Sequence, residues 1–147
     1  MTTTQTTTQL SRNKGIAVRF LELVSAHDLD GLSRMIAPTW TMQGGPPGLA
    51  AGPEGLRQLF GTFGRVEQTW TVEQLLAEGD LVAVRAVNTC VQDSFFGVPG
   101  HGRVQVFTAT FVHRIVGGLI EATWRNADDL GRVLQLGGRI VAGEAPR

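Results

Sequence analysis

The chain has 147 residues, 42% of them hydrophobic, with thirteen basic and thirteen acidic side chains that cancel. That is length for one compact domain burying about two thirds of its unfolded surface, with no net field to hold a phosphate backbone or an anionic bilayer. Cys90 is the only cysteine, which excludes an internal disulfide and a multi-thiolate metal site.

The N-terminus lacks the charged start and apolar stretch of a secretory signal, and no apolar run approaches the ~20 residues of a membrane span. The expectation is a cytoplasmic protein with no nucleic-acid and no membrane partner. Tyrosine is absent, Lys14 is the only lysine, and the histidines are His27, His101 and His113, so a mechanism needing a phenol is excluded.

In chain order, residues 1–10 read as a disordered tail, because a Thr/Gln tract without apolar residues after Met1 cannot offset its ordering entropy. From Ser11, a candidate N-cap, Ile16, Phe20, Leu23 and Val24 recur at helical spacing with Arg19 and Glu22 between them. Residues 28–36 repeat the pattern in a shorter helix that Asp28 can cap and Pro38 ends. Residues 39–43 alternate as a short strand, and the loop that follows is rich in Gly and Pro.

Pro53 suits the first turn of a third helix running through Leu56, Leu59, Phe60 and Phe63. Strands are expected over 66–78, 81–92, 103–116 and 119–127, with turns at Gly79 and at Gly117-Gly118. Asp128 and Asp129 open a short last helix as N-cap and dipole-favoured charges, and 138–147 form a C-terminal tail. Helices first and antiparallel strands later predict one α+β domain over 11–137, in which a curved sheet wraps around the helices and leaves a pocket.

The segment 95–137 carries three spaced patterns: FxGxPxxGR (Phe95, Gly97, Pro99, Gly102, Arg103), RIVxG (114–118), and IxxxW followed by DxLGxxxQLG (Ile120, Trp124, Asp128, Leu130, Gly131, Gln135, Leu136, Gly137). With these residues the chain resembles the SnoaL-like polyketide cyclases of the nuclear transport factor two-like superfamily, over about residues 15–137. The resemblance implies a cone-shaped α+β fold, a curved mostly antiparallel sheet around three N-terminal helices, and a homodimer. It also implies a cofactor-free pocket for a hydrophobic small-molecule substrate. Twelve of the thirteen basic residues are arginine, in keeping with a high-GC genome and an antibiotic producer.

The resemblance also sets positions. The cyclases carry an acid one residue after the tryptophan of the last strand, where this chain has Arg125, and commonly His or Asp on the preceding strand, where it has Phe111. Ketosteroid isomerases of the superfamily carry a carboxylate base at the position of Gln43. Arg125 cannot act as a base, but it can stabilise an oxyanion, polarise a carbonyl or epoxide oxygen, or hold a carboxylate. Its ordinary alternative is an ion pair with Glu121, Asp128 or Asp93.

Alternation puts Gln105, Phe107, Ala109, Phe111 and His113 on one strand face, which the resemblance identifies as pocket-facing. His113 is then the candidate acid or base, against the alternative of a hydrogen-bonded strand-end histidine. Gln43 can bind a substrate oxygen or orient a water, or simply pair with backbone. Trp40, Phe60, Phe63, Trp70 and Phe107 offer an aromatic wall, although each taken alone reads first as core. Trp124, opposite Arg125 in the alternation, is expected on the outer face. Asn88, Asp93 and His101 lie near a prospective mouth with no readable direction.

The function this implies is a cofactor-independent enzyme of polyketide-type natural-product biosynthesis, acting on a hydrophobic polycyclic substrate by cyclisation, isomerisation, dehydration or epoxide opening. The alternative is a non-catalytic binding protein or an accessory protein of a biosynthetic oxygenase. No metal-ligand pattern and no phosphate-binding loop is present.

Overall fold

The computed structural model describes residues 6–143; the parts of the two expected tails at 1–5 and 144–147 lie outside the described residues. Helix α1 (Thr7–Ser25) buries Ala17, Phe20, Leu21, Leu23 and Val24 along one stripe. It starts earlier than Ser11, inside the tract expected to be disordered. The Thr6 hydroxyl accepts the Gln9 N–H at 3.2 Å, so a cap lies ahead of Ser11 and the strongly amphipathic segment extends back to it.

Helix α2 (Leu29–Met35) begins at Asp28, whose carboxylate accepts Gly31 N–H at 2.9 Å. Strand β1 (Ile36–Gln43) starts three residues before the expected 39, burying Ile36, Ala37 and Trp40. Helix α3 (Gly52–Gly61) follows with proline in its first turn. Strands β2 (Val66–Glu78) and β3 (Leu81–Gln92) have the expected bounds. A miniature hairpin, β4 (Ser94–Phe95) and β5 (Val98–Pro99), precedes β6 (Gln105–Val116) and β7 (Leu119–Ala127). Gly117 and Gly118, both at positive φ (58° and 82°), make the two-residue β6–β7 turn. Helix α4 (Asp129–Gln135) closes the fold.

The main sheet runs β1-β7-β6-β3-β2, antiparallel except for the parallel β1–β7 edge pair. It curves without closing, α1 packing on β2 and α3 on β1. Trp40, Leu21, Leu32, Leu56, Val84, Ile115 and Ile120 form the sealed base of the core between sheet and helices. This is the expected α+β cone. Among the described residues no helix is long and apolar enough to cross a membrane.

On β6 the alternation holds: Gln105, Phe107, Ala109, Phe111 and His113 are all buried and their neighbours are more exposed. On β7 it holds only for the distal half. Thr123 pairs with His113 and Arg125 with Phe111, but Ile115 pairs with Ile120 across a register shift. The bulge leaves Glu121 unopposed and turns Ile120 inward, so Leu119 and Glu121 do not share the face of Thr123 and Arg125.

Candidate functional site

A cavity of about 470 Å³ opens between the concave sheet face and the helices. Its floor and walls are apolar: Phe20, Leu21 and Val24 from α1, Leu56, Leu59 and Phe60 from α3, and Trp70, Phe107 and Phe111 from β2 and β6. Phe63 extends the wall, while Pro46, Pro47, Phe95 and Phe96 border it from the two Gly/Pro-rich loops. Trp70 stands edge-on to Phe107 and Phe111, with ring centroids 5.5 and 5.2 Å apart, so a flat ligand meets rigid aromatic edges.

Of the residues singled out in the sequence, Arg125, Phe60, Phe63, Trp70, Phe107 and Phe111 border this cavity. Trp40 does not: it is fully buried and its Nε1–H donates to Thr123 Oγ1 at 3.0 Å. Ala109 is likewise buried in the core cluster. Gln43 is exposed, because the β1 alternation turns Trp40 and Met42 inward and Gln43 outward, and Met42 takes the place at the cavity wall. Trp124 is only partly buried and stacks under the Arg114 guanidinium at 5.4 Å.

His113 is sealed in. Its Nδ1 lies 2.8 Å from Thr123 Oγ1, its Nε2 has no hydrogen-bond partner, and the rings of Phe20 and Phe111, which border the cavity, pack against it. Loss of water around the imidazolium pushes its pKa down to about 4. A neutral ring screened by two phenylalanines is poorly placed to exchange protons with a ligand.

Arg125 is held at the wall by a bidentate pair with Asp129, 2.9 and 2.7 Å, and by donation to the Gly44 carbonyl at 2.9 Å. The partner is thus neither Glu121, Asp128 nor Asp93. Asp128 is the α4 N-cap, accepting Gly131 N–H at 2.9 Å, and that cap turns the chain so that Asp129 faces back towards Arg125. Asp129 also borders the cavity. Sequence reasoning placed it only as a helix-dipole charge; the four-residue spacing from Arg125 was the available signal.

Arg132 was missed altogether. One turn into α4, it is buried between the faces of Phe95 and Phe107, 3.5 and 4.3 Å from their centroids. Nε donates to Gln105 Oε1 at 3.2 Å and a terminal nitrogen to Gln92 Oε1 at 2.7 Å. Asp129 is 3.8 Å away. Burial lowers its pKa from the ordinary arginine value, which still leaves a cation at neutral pH. An arginine three residues after a pocket aspartate on a closing helix was the sequence sign.

Gly44 is fixed by the same cluster. At φ 83°, a Cβ there would lie 1.8 Å from the Arg125 carbonyl oxygen, so Gly44→Ala must part β1 from β7 where Arg125 is anchored. The expected cost is about 1–3 kcal/mol, measurable as a lower denaturation midpoint. An unchanged midpoint would show that the two backbones can separate freely.

Among the described residues no group of three or more His, Cys, Asp or Glu side chains is arranged to hold a metal. The family model for the SnoaL-like domain matches residues 17–123. IdmH from Streptomyces antibioticus, a candidate polyketide cyclase, is 29% identical, with 85% of this chain and 98% of that one covered and a TM-score of 0.69. AclR from Streptomyces galilaeus, a candidate hydroxylase, is 18% identical over 87% and 97%, TM-score 0.73. An LEH-like epoxide hydrolase of M. tuberculosis is 16% identical over 87% and 91%, TM-score 0.70. No curated protein matches the chain by sequence.

Proposed function

Because the chain belongs to the SnoaL-like domain family, with residues 17–123 inside the match, we propose that it is a cofactor-independent enzyme of natural-product biosynthesis. Its substrate is hydrophobic and polycyclic, and the reaction is a cyclisation, isomerisation, dehydration or epoxide opening, carried out by a homodimer. The observation that carries this reading is a guanidinium–carboxylate pair, Arg125 with Asp129, at the wall of a mostly apolar cavity.

The pair supplies the two things those reactions share. Each creates negative charge on an oxygen, an enolate from a carbonyl or an alkoxide from an epoxide, and each moves a proton beside it. Arg125 is the charge stabiliser. Asp129 is the proton acceptor, doing from the start of α4 what an acid on the last strand does in the cyclases. An apolar surround strengthens both contributions by excluding water. IdmH is named a candidate cyclase and the M. tuberculosis protein an epoxide hydrolase, two of these reactions on one fold.

The test is turnover of a tricyclic carboxylic acid bearing a 1,3-dicarbonyl side chain and of a matched epoxide, followed by mass spectrometry. A product of unchanged mass marks cyclisation or isomerisation, loss of one water marks dehydration, and gain of one water marks epoxide opening. Recovery of both compounds unaltered from a protein that binds them would overturn the enzymatic reading in favour of a carrier, a role consistent with the absence of His113 and Gln43 from the cavity lining.

A further inference from the structure

Two sets of polar residues border the cavity without a use in the Arg125–Asp129 chemistry. Trp70 and Asn88 face each other directly across β2 and β3, and both border the cavity. The Trp70 Nε1–H and the Asn88 Oδ1 are buried and have no hydrogen-bond partner. Asn88 is 1% exposed, and its amide nitrogen already donates to Gln68 Oε1 at 3.0 Å, so the carbonyl is the free group. A buried donor or acceptor left unpaired is destabilising. A donor and an acceptor side by side complement one hydroxyl, which accepts one hydrogen bond and donates another.

The second set is the charge. Among the described residues, Arg125, Arg132 and Asp129 are the charged ones bordering the cavity, two cations to one anion. Both carboxylate oxygens of Asp129 are engaged by Arg125, so Arg132, which donates to the amide oxygens of Gln105 and Gln92, only shares that carboxylate in a looser ion pair at 3.8 Å. The neighbouring Cys90 does not neutralise it, since burial holds that thiol above its ordinary pKa. A buried guanidinium without a carboxylate of its own is costly unless an anion completes it. Its plane is fixed between two phenyl rings, as a fork that takes a carboxylate should be.

We propose that the cavity's ligand is a hydroxylated aromatic carboxylate, its carboxylate on Arg132 and a hydroxyl seated between Trp70 Nε1 and Asn88 Oδ1. The inference rests on the reading of the cavity as a small-molecule site. Phe107 links the two subsites, its ring meeting Arg132 at 4.3 Å and Trp70 at 5.5 Å. The ligand's ring system therefore lies against Phe107 with its two polar groups diverging.

The experiment titrates the full chain with hydroxynaphthoate, naphthoate and the methyl ester of hydroxynaphthoate, read by calorimetry and tryptophan fluorescence. Hydroxynaphthoate is expected to bind about tenfold more tightly than naphthoate and on the order of a hundredfold more tightly than its ester. Asn88→Leu should abolish the first preference and keep the second; Arg132→Gln should do the reverse. Arg132→Lys, which keeps the charge without the fork, should retain part of the acid preference, and the comparison within the native protein needs no variant at all. Equal binding of acid and ester overturns the carboxylate subsite, and equal binding with and without the hydroxyl overturns the Trp70–Asn88 seat. Failure of all three compounds to bind overturns the small-molecule reading itself, a different result from either.

Discussion

Asp129→Asn is expected to lower kcat by about a hundredfold to ten-thousandfold while leaving the fold intact. The amide keeps the shape of the carboxylate and one acceptor for Arg125 but cannot take a proton, and positioned general bases contribute rate factors of that size. Arg125→Lys is the companion change. It retains a cation but loses the two-pronged contact with Asp129 and the donation to Gly44, and should lower kcat by about a hundredfold. The pair is partly exposed, 14% and 29% at its two side chains, so neither substitution carries the full penalty of a sealed ion pair, and thermal midpoints should fall only slightly. Asp129→Asn retaining kcat within about twofold would remove the carboxylate from the chemistry, because among the described residues no other carboxylate and no histidine borders the cavity.

How legible this was in the sequence depended on the range of the interactions involved. Strand bounds at Val66, Glu78, Leu81, Gln92 and Ala127 follow from period-two patterning and from turn glycines, both local signals. The inward face of β6 is legible for the same reason. Gln43 failed because a strand seen from residue 39 gives no indication of which face is inward until the parallel partner β7 is known. Glu121 failed because a single bulge resets the alternation. His113 was correctly turned inward, yet only the packing of Phe20 and Phe111 decides that inward means core and not cavity. Asp129 and Arg132 look like routine charges on a short helix, and their role depends on where α4 docks, a tertiary fact at which the i,i+4 spacing from Arg125 and the i,i+3 spacing from Asp129 only hint.

His113 should make the fold acid-sensitive without being needed for turnover. An imidazole titrates near 6.5 in the unfolded chain, while burial holds it at about 4 in the folded one. Above about pH 6.5 both states leave it neutral and it contributes no pH dependence. As pH falls from there the unfolded chain binds a proton that the native state refuses, so stability falls, and the loss is complete once pH passes below the folded value. The full effect is on the order of 3 kcal/mol, since each unit of displacement is worth about 1.4. Denaturant titrations at about pH 7.5 and 4.5 on the native chain and on His113→Phe isolate this contribution, because carboxylates titrate alike in both. The variant should lose about 2–3 kcal/mol less between the two conditions, with Thr123 still accepting from Trp40, and should keep kcat within a few-fold. Equal acid losses in the two proteins would show that the ring is hydrated or paired in the native state; a collapse of kcat instead would return His113 to the chemistry as a proton carrier reaching the cavity past Phe111.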